Sequence, residues 1–317
     1  MAAKLVRMRR LEDPPARRPV VLAIAGDSAS GKTTLARGLV AALGPERCTS
    51  ICVDDYHRYD RAERRRMAIT PLHPDCNHVD IMEQQLQLIA LGRPILKPVY
   101  DHASGRLVRP EYVSSREFLI VEGLLPLSTR LARASIDVAV YLDPDEGLRR
   151  QWKITRDVQQ RGYSEQEVLE ELQRREADAA AYIAPQRRYA DIVVRFSPSD
   201  SDVIDPDASG ALSAELLLRP TIRHPALSTV LSEDHRAAVH LKIVRDDGTP
   251  TDLLHVHGTA STDETTRIEK LIWSALQQPG EVPADLGETR GARSEPLAIT
   301  QLILLHHLLQ GTAEATA

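Results

Sequence analysis

The sequence contains few cysteines. Only Cys48, Cys52 and Cys76 occur in a chain of 317 residues, which is too few for the disulfide scaffold that stabilises small secreted domains. We therefore expect reduced thiols and a cytoplasmic location.

The sequence also lacks a membrane-spanning run, a secretory signal and a strong basic charge. The longest apolar stretch, at 297–309, is interrupted by Thr300, Gln301, His306 and His307, so it does not resemble a transmembrane helix. Residues 1–18 form a basic tail without the apolar segment of a secretory signal. The net charge of −5 does not indicate the basic footprint of a nucleic-acid-binding protein. We expect no membrane partner and no nucleic-acid partner.

One glycine-rich stretch, GDSASGKT at 26–33, carries the strongest functional signal. It fits the phosphate-binding loop pattern, in which glycines let backbone N–H groups surround phosphate oxygens. In this pattern Lys32 reaches the β- and γ-phosphates and the Thr33 hydroxyl holds Mg²⁺. A buried strand before the loop and a helix after it disfavour a chance match by a glycine- and serine-rich turn. The predicted nucleotide contacts here are Gly26, Asp27, Ser28, Ala29, Ser30, Gly31, Lys32, Thr33 and Thr34.

The apolar pattern predicts an α/β fold of the P-loop NTPase type. Segments 20–25, 49–53, 118–121, 136–142 and 192–196 read as buried parallel strands, with helices between them that cover both faces of the sheet. A polar linker follows, and then a hairpin at 240–257 and two helices. We therefore divide the chain into the basic tail 1–18, a P-loop domain 19–197, and a linker with a small C-terminal α+β extension at 198–317.

Acidic residues follow two of these strands, at the edge where such sheets bind ligands. Asp54 and Asp55 leave the second strand, where a carboxylate can take a proton from a hydroxyl or hold Mg²⁺ through water. The alternative is that they cap the next turn. Glu122 ends the third strand and can act as a Walker B acid, or it is a buried structural acid.

Three other segments carry polar groups. The stretch HPDCNHVDIM contains Asn77, and KPVYDHASG resembles a hairpin that carries Tyr100 and His102. A helix near 148–161 has a basic stripe, which usually means a solvated face. Arg174 and Arg175 lie on the next helix, whose cations can close over a transferring phosphoryl group.

Together these motifs resemble the phosphoribulokinases of the cyanobacterial, plant and archaeal type, within the wider uridine kinase and phosphoribulokinase family. The resemblance is specific over 20–196 and weaker over 241–311. It rests on GDSASGKTT, ICVDDYHRYDR, HPDCNHVDIM, KPVYDHASG, VEGLLPL, WKITRDVQQRGYS and YIAPQRRYADIVVR. It implies a kinase domain at 19–197 that uses ATP and Mg²⁺ to phosphorylate the 1-hydroxyl of ribulose 5-phosphate. It also implies a homodimer.

The resemblance assigns roles to individual residues. Asp54 is implied as the catalytic base, assisted by Lys32, Lys153 and Arg156. Arg161, Arg174 and Arg175 are implied at the nucleotide or in its lid, and Thr33 with Glu122 at the metal. The sugar phosphate is expected to contact His57, Arg61, Asn77, Tyr100 and His102.

Departures from the family pattern keep other hypotheses open. Leu125 stands where the family usually has a histidine and favours a uridine or nucleoside kinase, although the cationic and imidazole groups favour a phosphorylated sugar. Ser30 replaces the loop cysteine of the plant and cyanobacterial relatives, so Cys52 lacks its disulfide partner. A non-catalytic ATP-binding regulatory module is the third hypothesis, and the presence of both Asp54 and Lys32 weighs against it.

Overall fold

The computed structural model describes residues 18–199, 211–227, 238–276, 280–289 and 292–314. The predicted basic tail up to residue 17 and residues 200–210 of the predicted linker lie outside this range. In chain order the strands are β1 (Val20–Gly26), β2 (Cys48–Cys52), β3 (Ile95–Asp101), β4 (Arg106–Val113), β5 (Phe118–Gly123), β6 (Val138–Leu142), β7 (Ile192–Pro198), β8 (Leu212–Leu218), β9 (Val239–Asp246), β10 (Thr249–Val256), β11 (Glu288–Thr289) and β12 (Ala292–Arg293). The helices are α1 (Lys32–Leu43), α2 (Arg61–Met67), α3 (Val79–Ala90), α4 (Arg130–Ala134), α5 (Glu146–Arg161), α6 (Glu165–Asp178), α7 (Thr262–Ala275) and α8 (Glu295–Glu314).

One large sheet organises the fold, with the strand order β2-β5-β1-β6-β7-β8-β10-β9. The first five strands are parallel, which confirms the predicted α/β class and all five predicted strands. Every residue of β1 is buried, because helices cover both faces of a parallel sheet. The predicted hairpin around Tyr100 is also confirmed, as the separate antiparallel pair β3–β4.

Two apolar cores lie on opposite faces of the sheet. On one face, α1, α7 and α8 pack against alternate residues of β1, such as Leu22 and Ile24. On the other face, α3 and α4 pack against the intervening residues, such as Val21 and Ala23. The alternation follows from the two-residue period of a strand, and it leaves the carboxyl ends of the strands free to carry polar loops.

The C-terminal part of the chain extends the same sheet. Strand β8 pairs antiparallel with β7 and β10, and β9 pairs with β10 at the sheet edge. The hairpin β9–β10 matches the prediction, whereas β8 had no counterpart in the sequence interpretation. The exact division into domains remains a prediction.

Helix α8 is buried on all sides. Its side chains from Leu297 to Leu309 are almost entirely inaccessible, including the polar Thr300 and Gln301. A helix that is apolar around its whole circumference belongs in a core or in a membrane. In the part of the chain that the structure describes, no helix is long and apolar enough to cross a bilayer.

Candidate active site

A large cleft opens at the carboxyl ends of β1, β2 and β5. Its volume is about 2370 Å³, whereas a single small-molecule site commonly occupies roughly 300–1,000 Å³. The cleft therefore has room for two ligands side by side. Predicted site residues that line it are Ser28, Ala29, Ser30, Gly31, Lys32, Thr33, Thr34, Asp54, His57, Arg61, Tyr100, His102, Glu122, Arg156, Arg161, Arg174 and Arg175.

The phosphate loop joins β1 to α1. Lys32 Nζ donates hydrogen bonds to the carbonyl oxygens of Gly26 (2.9 Å) and Asp27 (2.8 Å), so its ammonium group braces the start of the loop. Ala29 and Gly31 adopt left-handed conformations, with φ of 64° and 96°. Such residues aim successive N–H groups into a concave anion site. Geometry and charge at this turn both suit phosphate.

Thr33 and Glu122 meet at the floor of the cleft, where the Thr33 hydroxyl donates to Glu122 Oε1 at 3.0 Å. Burial raises the pKa of Glu122, and nearby Asp54 raises it further while Lys32 opposes the shift. A cation beside this carboxylate would stabilise its charged form. Among the described residues, no group of three or more His, Cys, Asp or Glu side chains is placed to hold a metal ion. The Thr33 hydroxyl and the Glu122 carboxylate match the small number of protein ligands with which Mg²⁺ commonly binds, phosphate and water completing its shell.

The two aspartates after β2 have different environments. Asp54 lines the cleft, and its Oδ1 accepts a hydrogen bond from the Leu124 N–H at 2.8 Å. Asp55 instead forms an ion pair with Lys97 and accepts a hydrogen bond from the Tyr100 N–H at 3.0 Å. Asp54 thus lines the cleft, whereas Asp55 attaches the β3–β4 hairpin to the turn after β2.

His57 is a neutral hydrogen-bonding group in this cleft. Asn77 Nδ2 donates to the carbonyls of Pro71 and His73, so Asn77 Oδ1 accepts from His57 Nδ1 at 2.6 Å. Burial lowers the pKa of His57 to about 4. With the proton on Nδ1, the other ring nitrogen, Nε2, can accept a hydrogen bond from a ligand hydroxyl.

Arginines and aromatic rings surround His57. Arg61 donates from its backbone N–H to Gly105 O at 2.8 Å and from its guanidinium to His102 O at 2.6 Å. Arg64 donates to the Tyr100 hydroxyl at 2.6 Å. The sequence interpretation missed Arg64 and Arg65, which also line the cleft. Their spacing from Arg61 along α2 was the available signal, because residues three and four apart share a helix face.

A buried carboxylate, Asp157, gathers the cations of α5. It contacts Lys153 Nζ at 2.7 Å, Arg156 Nε at 2.9 Å and Arg161 Nη1 at 3.3 Å. Burial lowers the pKa of Lys153 to about 7, and Arg175 lowers it too, whereas Asp157 opposes the shift. The hydrogen bond from Arg156 and the charge of Lys153 outweigh burial and lower the pKa of Asp157 to about 2. The sequence interpretation gave Asp157 no role.

Helix α5 is also tied to the phosphate loop. Arg149 Nη1 lies 3.1 Å from Asp27 Oδ2, and Arg156 Nη2 donates to Ser28 Oγ at 3.2 Å. Arg149 and Lys153 are buried, which disfavours the alternative interpretation of this basic stripe as a solvated face. On α6, Arg174 is exposed, whereas burial lowers the pKa of Arg175 to about 10.

Some predicted site residues do not line the cleft. Asn77 lies behind His57, while Asp27 and Lys153 border a smaller neighbouring cavity of about 300 Å³. Gly26 is buried at the base of the loop.

Two departures from the family pattern have clear positions. Leu125 is 3% exposed and packs with Leu72, Leu124 and Ile183, so it belongs to an apolar cluster rather than to the cleft lining. Cys52 lines the cleft, and burial raises the pKa of its thiol. All three cysteines are free.

Comparisons with known proteins agree with this geometry. A family model described as the phosphoribulokinase and uridine kinase family matches residues 21–202. A phosphoribulokinase from Synechocystis sp. is 40% identical over 182 residues, which are 57% of this chain and 55% of that protein. A uridine kinase from Lactiplantibacillus plantarum is 31% identical over 194 residues, which are 60% of this chain and 92% of that enzyme.

The fold also has a counterpart among solved structures. The structure of a phosphoribulokinase from Rhodobacter spheroides superposes with a TM-score of 0.58 at 19% identity, covering 83% of this chain and 99% of that chain. At this identity the likeness concerns the fold alone. In sequence, the chain spans little more than half the length of the Synechocystis relative.

Proposed function

We propose that this chain, which belongs to the phosphoribulokinase and uridine kinase family, is a kinase that transfers the γ-phosphoryl group of ATP to the 1-hydroxyl of ribulose 5-phosphate. The observation that carries the proposal is the placement of Asp54 and Lys32 on the walls of one cleft. The products are ribulose 1,5-bisphosphate and ADP.

Asp54 is the base in this proposal. Its Oδ1 is fixed by the Leu124 N–H, and Oδ2 has no hydrogen-bond partner among the described residues. A fixed carboxylate with one open oxygen can take the proton of a hydroxyl as that oxygen attacks the γ-phosphorus. The bond from the γ-phosphorus to the bridging oxygen of ADP breaks as the new bond forms.

The remaining groups stabilise negative charge and hold the reactants. Lys32 and the loop N–H groups face the phosphates, while Arg156, Arg161 and Arg175 approach from α5 and α6. Thr33 and Glu122 would hold Mg²⁺, which supplies positive charge to the nucleotide phosphates. Charge stabilisation and positioning account for most of the catalysis of phosphoryl transfer.

The basic end of the cleft supports a phosphorylated acceptor. Arg61, Arg64 and Arg65 come from one helix, and Arg161 lines the same cleft. Guanidinium groups suit a phosphate dianion, whereas neutral His57 suits a sugar hydroxyl. Leu125, which favoured a nucleoside acceptor in the sequence, does not reach the cleft. We therefore propose a sugar phosphate over uridine.

A coupled assay of ADP release tests the proposal, with ribulose 5-phosphate and uridine as parallel acceptors. We expect turnover with the sugar phosphate, and Asp54→Asn should reduce it by about 10²–10⁴-fold while ADP binding stays intact in calorimetry. The control Asp80→Asn changes an exposed carboxylate and should retain activity. Faster turnover on uridine, or full activity of Asp54→Asn, would refute the assignment. ATP binding without turnover on either acceptor would instead support the regulatory module.

The homodimer and the cytoplasmic location stay predictions from the resemblance and the composition. Light scattering of the purified chain would measure the first, and fractionation of the source cells the second.

A further inference from the structure

The cleft has two ends of different chemistry. The acceptor end is basic, as described above. Away from the arginines of the acceptor end, the lining includes a set of apolar side chains with polar residues beside them. The apolar ones are Leu148, Trp152, Phe196, Leu212, Ala260 and Leu297, and the polar ones include Ser199, Thr262, Thr289, Arg293 and Glu295. Leu148, Phe196, Ala260 and Leu297 are buried, and Trp152 and Leu212 are partly buried against the same core. These apolar side chains offer little hydrogen bonding and no charge to a phosphate. They would instead remove the flat face of a nucleobase from water, which favours binding.

Trp152 lies directly beside the phosphate loop. A Cβ atom placed on Gly31 would be 4.0 Å from Cζ3 of the indole ring. The helix that carries Trp152 is fixed to the loop on both sides, because Arg149 Nη1 donates to Ser28 O at 3.1 Å and Arg156 Nη2 to Ser28 Oγ at 3.2 Å. The indole is therefore held against the phosphate loop.

The opposite wall comes from the C-terminal part of the chain. A Cβ atom placed on Gly38 of α1 would overlap the Gln301 side chain of α8, and one placed on Gly311 of α8 would lie 2.9 Å from Val20 at the start of β1. Since α1 also runs from the phosphate loop toward the start of β1, α8 runs parallel to α1. The N-terminal end of α8, with Leu297, is thus at the same end of the sheet as the phosphate loop. Leu212, Ala260 and Leu297 all lie beyond the family match, which ends at residue 202.

A polar network fixes the rim of this wall. Glu295, at the start of α8, accepts hydrogen bonds from Thr262 Oγ1 at 3.0 Å and Thr265 Oγ1 at 2.6 Å. Arg293 Nε lies 3.2 Å from Glu295 Oε1 and the guanidinium also pairs with Glu269. These bonds join α7 to α8, so the apolar end of the cleft is a preformed slot.

We propose that this slot binds the nucleobase of the donor nucleotide, with Trp152 as the stacking surface and Leu212, Ala260 and Leu297 as the facing wall. The inference rests on the proposed function only in placing the nucleotide phosphates in the loop. Replacing an aromatic side chain on which a base stacks with alanine commonly weakens binding of the ligand about tenfold.

Calorimetry with two ligands tests the slot without any turnover. ADP fills the loop and the slot, whereas inorganic tripolyphosphate fills only the loop. We expect Trp152→Ala to weaken ADP binding about tenfold and to leave tripolyphosphate binding unchanged. Trp273→Ala is the matched control, because Trp273 lies on α7 and packs against the same core but does not line the cleft. Unchanged ADP affinity in Trp152→Ala, or equal losses for both ligands, would overturn the proposal.

A second pair of variants tests the facing wall. Leu212→Ala should weaken ADP binding without affecting tripolyphosphate, while Leu217→Ala, a partly buried leucine on the same strand that packs against the other core, should change neither. Equal effects of the two substitutions on ADP would refute the wall. These measurements need no acceptor, so absence of turnover on ribulose 5-phosphate would refute the kinase and leave the slot standing. If Trp152→Ala binds ADP with wild-type affinity, the slot is refuted and the proposed kinase is not.

Discussion

The Asp55–Lys97 ion pair offers a sharp test of how the acceptor wall is built. The side chains are 13% and 6% exposed, so both charges are largely removed from water. Asp55 Oδ1 also accepts from the Tyr100 N–H, and Lys97 Nζ donates to Pro98 O at 3.2 Å. The pair therefore joins the turn after β2 to the hairpin that carries Tyr100 and His102.

Lys97→Met keeps the aliphatic stem and removes the charge. Removing one partner of a buried pair costs about 3–5 kcal/mol, because the other charge is left uncompensated. We expect about 3 kcal/mol, the lower end of that range, since the Tyr100 N–H still stabilises the carboxylate. Combining this substitution with Asp55→Asn should cost less than the sum of the single changes by at least about 1 kcal/mol.

Urea unfolding measures these free energies, with Lys242→Met as the control at an exposed lysine. In the coupled assay, Lys97→Met should raise the KM for the acceptor more than the KM for ATP, because the hairpin lines only the acceptor end of the cleft. Strict additivity in the double variant, or a cost equal to that of Lys242→Met, would refute the reasoning.

Four further outcomes follow from the site. Asp157→Asn should lower the pKa of the Lys153 amine in an NMR titration of its side chain, because the Asp157 carboxylate raises that pKa. Leu125→His should lower the unfolding free energy by about 1–3 kcal/mol without changing the ratio of turnover on ribulose 5-phosphate and uridine. Ala29→Gly should stabilise the protein by about 0.5–1 kcal/mol in urea unfolding, because a left-handed alanine is strained. Incubation of the protein with an oxidised dithiol reagent should leave turnover unchanged, because Cys52 has no cysteine partner in the phosphate loop with which to form a disulfide.

The parallel part of the fold could be predicted because its strands are buried on both faces and read as continuous apolar runs. Strand β8 could not be predicted in the same way. Its sequence, LSAELLL, is rich in leucine, alanine and glutamate, which favour helices. Its pairing with β7 and β10 decides its structure, and this tertiary contact leaves no periodic signal of its own.

In the candidate site, too, features set by neighbouring residues could be predicted from the sequence, and features set by distant contacts could not. The phosphate loop is local, so its residues and flanking elements could be predicted together. The roles of Asp54 and Asp55 could not be separated, because the partners that distinguish them, Leu124 and Lys97, are distant in the chain. Likewise, the Lys153, Asp157 and Arg161 spacing is visible in sequence, but their burial depends on α6 and the loop.

The composition of the cleft also limits what relatives can tell about nucleotide preference. The family match covers the phosphate loop, Asp54, which we propose as the general base, and the arginines of the proposed acceptor end, and it stops at residue 202. Leu212, Ala260 and Leu297 come from later parts of the chain, which reach the cleft because β8 and α8 pack onto the shared sheet and α1. In the proposed slot, the stacking surface Trp152 therefore lies within the family match, whereas the facing wall lies beyond it. A relative that shares the first part alone need not share the base preference, since a binding site depends on its own lining residues rather than on the fold.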